Sequence, residues 1–264
     1  MRKNIVIALA VLLVVGFSTF CLSAGEEKPK SQKYLIMENV IHKYKMADYE
    51  KLSKEMVALY AEHKSVYPWY TFMSDDLNYM YSMPIKDYAD IDAMDKEDEE
   101  IWKKIGEEKG KQIQESWSAV AKCSRSWITT HRADLSYKPE SPRLEAKKAL
   151  FRYIVNYYVK VGSSKEFEEI LKKFKELCTA KNVVDVYNVY TGDIGTDWPM
   201  YSVIFHAECP TDFHVNYDKT WELFGEEGKE LLKKLFTLIR KRDIRTAWLR
   251  PELSYFPTKE EAKE

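Results

Sequence analysis

The chain has 264 residues, 45% hydrophobic and 31% charged, with a formal net charge of -1. That composition belongs to a globular chain long enough for one large or two small domains, and it excludes a disordered or low-complexity protein. With Lys+Arg 41 against Asp+Glu 42, there is no excess of positive charge to hold phosphates, so no nucleic-acid partner is expected.

The N-terminus carries the first local signal. Arg2 and Lys3 precede an uncharged run over 4–25 with an apolar heart at 5–17, and the small residues Ser23 and Ala24 stand just before Glu26. Basic, apolar and small segments in that order predict a secretory signal peptide over 1–24, cleaved after Ala24, with a linker at 25–31. The competing reading is an uncleaved anchor, because the run is just long enough for a bilayer core of about 30 Å. Phe20 directly before Cys21 argues against lipidation of that cysteine. The expectation is an exported chain, periplasmic or secreted, with no membrane attachment after cleavage. Cys123, Cys178 and Cys209 remain, an odd number in a compartment that permits disulfides, so one bridge plus a free thiol and three buried thiols both fit. Their spacings match neither a zinc cluster nor a CxxC motif.

β-branched and aromatic residues predict a strand over 34–43. Tyr49, Leu52, Met56, Leu59 and Tyr60 follow at helical spacing, with Asp48 as the expected N-cap. Two strands come next, near 69–73 and 79–83, joined by a turn at Asp75-Asp76. An acidic, helix-prone stretch around Trp102 leads into a second helix, and 127–132 makes the last strand of this unit. Pro139, Ser141 and Pro142 interrupt regular structure, so a linker at 140–147 separates a first unit, 32–139, from a second, 148–257. The second unit repeats the order. A strand at 152–161 precedes a helix through Phe167, Ile170, Leu171, Phe174 and Leu177, with Ser164 as cap. Strands at 183–190 and 200–207 flank the turn Gly192-Asp193-Ile194-Gly195. A helical stretch through Trp221 and a strand at 245–250 complete the unit, and a charged tail, 258–264, follows.

The two units share residues as well as order. Asp134-Leu135-Ser136-Tyr137-Lys138-Pro139 aligns with Glu252-Leu253-Ser254-Tyr255-Phe256-Pro257 at a shift of 118 positions, and Arg132 with Arg250 at the same shift. Trp102-Lys103-Lys104-Ile105-Gly106-Glu107-Glu108 aligns with Trp221-Glu222-Leu223-Phe224-Gly225-Glu226-Glu227, one residue further on. β-α-β-β-α-β is the ferredoxin-like pattern, an antiparallel sheet with both helices on one face. Alone, such a unit leaves its other sheet face bare, whereas two units bury those faces against each other. The predicted fold is α+β: two tandem ferredoxin-like units forming one pseudo-dimeric α+β barrel. Element order and the repeated Trp-x-x-Φ-Gly-Glu-Glu stretch, where Φ is apolar, make the chain resemble the dimeric α+β barrel superfamily in tandem form, near its NIPSNAP and antibiotic-biosynthesis-monooxygenase relatives.

Strand alternation then sorts the side chains of the first strands. Leu35, Met37 and Ile41, like Tyr153, Val155 and Val159, should lie under the helices. The opposite face carries Tyr34, Ile36, Glu38, Val40 and His42, matched by Arg152, Ile154, Asn156, Tyr158 and Lys160. Carboxylate, imidazole, guanidinium and amide among apolar residues suit a pocket for a small, partly apolar molecule between the sheets, so Tyr34, Glu38, His42, Arg152, Asn156 and Tyr158 are candidate ligand-binding residues. A salt-bridged seam is the plainer alternative, with Glu38 or Arg152 finding a partner in the other half. Arg132 and Arg250 suit either an anion clamp or structural pairs with Asp134 and Glu252. Trp102 and Trp221 are assigned to packing, and 95–100 to a solvated helical face. No nucleophile–base pair, phosphate loop or metal-ligand spacing occurs, so no catalytic residue, metal or cofactor is expected from the residues. The resemblance adds an alternative, a monooxygenase-like enzyme that is either cofactor-free or haem-dependent, with His42 or His206 as general base or iron ligand. A barrel packed solid, with a structural or interaction role, is the third reading.

Overall fold

A computed structural model describes residues 31–258; the expected signal segment with Cys21, and nearly all of the charged tail, lie outside the described residues. The N-terminal half runs β1 (Lys33–Ile41), α1 (Met46–Glu62), β2 (Tyr70–Ser74), β3 (Tyr79–Ile85), α2 (Ala89–Ile105), α3 (Glu107–Val120) and β4 (Ala121–His131). The C-terminal half runs β5 (Phe151–Val159), α4 (Ser164–Ala180), β6 (Tyr187–Gly192), β7 (Met200–Ala207), α5 (Pro210–Leu238) and β8 (Ile239–Leu249). Every expected strand and helix is present, with shifted ends. β4 and β8 begin several residues earlier than their alternation suggests, because Lys122 and Arg125, or Arg240, Lys241 and Arg242, occupy exposed strand positions. Asp48 lies in the first turn of α1 and Ser163 holds the N-cap position of α4, neither with a side-chain capping bond.

The repeated glycine breaks the second helical stretch in both halves. Gly106, with φ 84° and ψ 158°, separates α2 from α3, and Gly225, with φ 55° and ψ -142°, interrupts α5. Both conformations are open essentially to glycine alone.

All strand pairs are antiparallel, and each half shows the same order, β4-β1-β3-β2 and β8-β5-β7-β6. The halves join edge to edge, Thr129 to His131 pairing with Gly192 to Tyr190, and Phe72 to Ser74 with Leu249 to Ala247, so the sheet closes into a barrel without free edges.

Beyond β4 and β8 the chain crosses into the opposite half, which accounts for the Leu-Ser-Tyr repeat. Leu135 is buried in the C-terminal core beside Phe167 and Leu177, and Leu253 in the N-terminal core beside Tyr49 and Leu52. Ser136 Oγ accepts the Val189 N–H at 2.8 Å, as Ser254 Oγ accepts that of Thr71 at 2.9 Å. Tyr137 donates to the Val183 carbonyl and Tyr255 to that of Ser65, each at 2.7 Å. Arg132 grips Glu168 at 2.7 and 2.9 Å as well as Asp134, while Arg250 grips Glu50 at 2.6 Å and Glu252 at 2.7 Å. The repeated arginines are thus structural clasps between halves.

Candidate functional site

Side chains of the inward strand face meet inside the barrel. Glu38 is fully buried and accepts hydrogen bonds from Arg125 Nε and Arg245 Nη2, both at 2.5 Å. Because β8 is not a neighbour of β1, the Arg245 bond spans the lumen and joins the halves. The cross-half partner of Glu38 is therefore Arg245 and not Arg152. Burial pushes the Glu38 carboxyl up, but the bonds from Arg245 and Arg125 outweigh it and leave the group below its ordinary range. Of the other candidates, Tyr34 and Arg152 lie at equivalent places in β1 and β5, both close to Tyr190. Asn156 accepts a hydrogen bond from Ser202 at 2.6 Å. Tyr158 lies under the Lys241 ammonium at 4.7 Å, and His42 stands beyond the end of β1 with its ring against Tyr44. The six are not drawn to one point.

Open space lies on the other side of each sheet, beneath the helices. In the N-terminal half a cavity of about 610 Å³ is lined by Met37, Tyr60, Tyr81, Asp98, Trp102 and Trp117. Asp98 belongs to the stretch expected to be solvated, yet it turns inward, accepts a hydrogen bond from the Tyr60 hydroxyl at 2.8 Å and is pushed up by burial. In the C-terminal half a cavity of about 370 Å³ lies among Tyr157, Phe174, Tyr187, Phe205, Tyr217 and Trp221. Trp102 and Trp221 thus line cavities rather than only filling a core. None of the six lumen candidates touches either cavity.

The two cavities differ at one equivalent position. Trp69 pairs with Tyr255 as Tyr187 pairs with Tyr137. The Trp69 indole N–H donates to the Leu253 carbonyl at 2.9 Å, but the Tyr187 hydroxyl is buried with no hydrogen-bond partner. Burial pushes that phenol upward, with the nearby Cys178 and Tyr137 groups adding to the shift, so it is a proton donor at neutral pH. Across the same cavity, Arg242 lies near the phenols of Tyr157 and Tyr217, and burial pushes Tyr157 up to about 12. An aromatic chamber with a hydroxyl donor on one wall and a guanidinium on another is suited to a flat apolar molecule carrying a polar substituent.

No protein-family model matches the sequence, and no curated protein does. Solved structures match in shape. An anthrone oxidase-like protein superposes with a TM-score of 0.58 at 12% identity, over 90% of this chain and 98% of its own. Monooxygenase-like proteins from Lactobacillus acidophilus NCFM and Fusobacterium nucleatum each give 0.52, at 11% and 13% identity, over 86% and 84% of this chain and 97% and 94% of theirs. The shared fold is the closed antiparallel α+β barrel of two ferredoxin-like halves.

Within this α+β barrel, His206 is the imidazole nearest the C-terminal cavity, but it does not fit the role of an iron ligand. Its Nε2 is already engaged by the Asn188 amide at 2.9 Å; burial, followed by the Arg152 charge, pulls its pKa down to about 3, which keeps the ring neutral. Among the described residues no group of three His, Cys, Asp or Glu side chains could hold a metal ion. The three described cysteines are free: Cys178 is buried, Cys123 is exposed, and Cys209 caps α5 through its sulfur. The residues whose cavity-lining role sequence reasoning missed are the outward aromatics. Phe213, Tyr217, Trp221 and Phe224 recur at helical spacing along α5 and show the aromatic face that the barrel turns toward its sheet.

Proposed function

We propose that this chain binds a small, flat, largely apolar molecule bearing a hydroxyl or carbonyl group, in the cavity between the C-terminal sheet and helices α4 and α5. The ligand class is the one expected from the sequence; its place moves from the lumen to the outer face of the sheet. The Tyr187 hydroxyl carries the reading: a buried donor without a partner costs about 1–3 kcal/mol, and a ligand oxygen would remove that cost. The name of the anthrone oxidase-like neighbour suggests fused-ring ketones and phenols as probes. An oxygenase reading also needs a group to take the substrate proton; His206 borders the cavity, but its Nε2 is already engaged with the Asn188 amide.

Calorimetric titration with anthrone and 1-naphthol tests the proposal. Tyr187→Phe should weaken binding about tenfold, about 1.4 kcal/mol, while raising the melting temperature of the ligand-free protein because the orphaned hydroxyl is gone. Absence of binding across both probes, or a Tyr187→Phe protein that melts lower, would count against this site. Oxygen uptake in the presence of anthrone would instead favour the enzyme reading. The proposal includes export, resting on the basic, apolar and small-residue order of 1–24. N-terminal sequencing of exported protein should begin at Gly25, and a chain beginning at Met1 would oppose release.

A further inference from the structure

Charges inside the barrel are balanced toward one end only. Glu38 is paired with Arg125 and Arg245, and Asp243 lies near Arg245, so acids and cations there match. Toward the other end Arg152 is half-buried, and no carboxylate among the described residues pairs with it. Its Nη1 donates to the carbonyls of Ala149 and Phe151, which leaves the edge formed by Nε and Nη2 without a partner among the described residues. The face of Phe72 lies 5.8 Å from the guanidinium carbon.

The groups around that free edge are donors or apolar. Tyr34 meets Tyr190 edge-on at 5.8 Å, and Tyr70 is close enough to raise the phenols of both. None of the three hydroxyls has a hydrogen-bond partner among the described residues. His206, the register partner of Arg152, is neutral and engaged with Asn188. Tyr70 is 40% exposed and stands beside the exposed Phe256, so this cluster reaches solvent at its outer edge.

We infer that this end of the barrel is a binding site for a small carboxylate, held by the Nε–Nη2 edge of Arg152 and by the hydroxyls of Tyr34, Tyr70 and Tyr190. Two parallel N–H groups match the two oxygens of a carboxylate, and a half-buried cation with no counter-charge beside it favours an anion there. One uncompensated positive charge calls for one negative charge, which favours a monoanion over a phosphate dianion. The site lies on the opposite sheet face from the aromatic cavity and stands or falls independently of it.

Thermal unfolding in sodium acetate against sodium chloride at equal ionic strength tests the inference, with inorganic phosphate as a third arm. Acetate should raise the melting temperature of the wild type by several degrees more than chloride. That difference should shrink in Tyr190→Phe and vanish in Arg152→Met. If Arg152→Met does not fold, the Tyr34→Phe/Tyr190→Phe double variant answers the same question, because its acetate shift should be less than half that of the wild type. No acetate shift in the wild type, an undiminished shift in the variants, or a larger shift with phosphate would each overturn the assignment.

Discussion

His206 faces Arg152 and takes a proton only near pH 3 in the folded chain, against 6.5 for an ordinary imidazole. In the unfolded chain it takes that proton as pH drops through 6.5. Folding therefore loses stability as pH falls between those values, by about 1.4 kcal/mol per unit. Urea unfolding between pH 7 and pH 4 should show a smaller loss for His206→Gln than for wild type, and parallel curves would refute the burial of a neutral imidazole. Glu38 has a depressed folded pKa, so its stabilisation is complete well above its ordinary 4.5 and is lost as pH falls through the lower folded value. Its two arginines are unequal: the Arg125 side chain is 60% exposed, that of Arg245 19%. Arg245→Met should cost about 3–5 kcal/mol, since it strips a buried carboxylate of its better-shielded partner, and Arg125→Met at most about 1 kcal/mol. Equal costs, measured by chemical denaturation, would show that the lumen is wet.

At the scale of elements, the helix breaks at Gly106 and Gly225 follow from backbone conformation, since an added Cβ would meet nothing within 4 Å at either position. Gly106→Ala and Gly225→Ala should each cost about 1–3 kcal/mol through strain alone. Melting temperatures unchanged in both variants would rule that out. Strand and helix order was legible because alternation and helical spacing survive in β1, β5, α1 and α4. The early ends of β4 and β8 were hidden because their exposed arginines and lysines do not alternate. Face assignment in β1 and β5 also followed from alternation, and Glu38 and Arg152 do point inward. The aromatic cavities were not legible there: they depend on how far α5 stands off its sheet, which no strand pattern records. Tyr187 gave no local sign either, since its hydroxyl is orphaned only by the tertiary surroundings of β6.

Across the whole molecule, the 118-residue repeat announced two like halves, but not that each would lodge its exit segment in the other. Leu135 and Leu253 are fully buried, each in the core of the half that did not produce it. Residues 31–139 and 148–258 made as separate chains should therefore fold poorly alone and recover a folded complex when mixed, with circular dichroism and size exclusion as readouts. An independently stable half would refute that dependence. Covalent joining also changes what the repeat can become. It holds each exit segment beside its socket at an effective concentration on the order of millimolar, far above that of a second copy in dilute solution. A half no longer has to fit a replica of itself, so Tyr34 can stand opposite Arg152 and Phe72 opposite Tyr190. That freedom is what allows a single positive charge to remain off-centre in an otherwise twofold barrel.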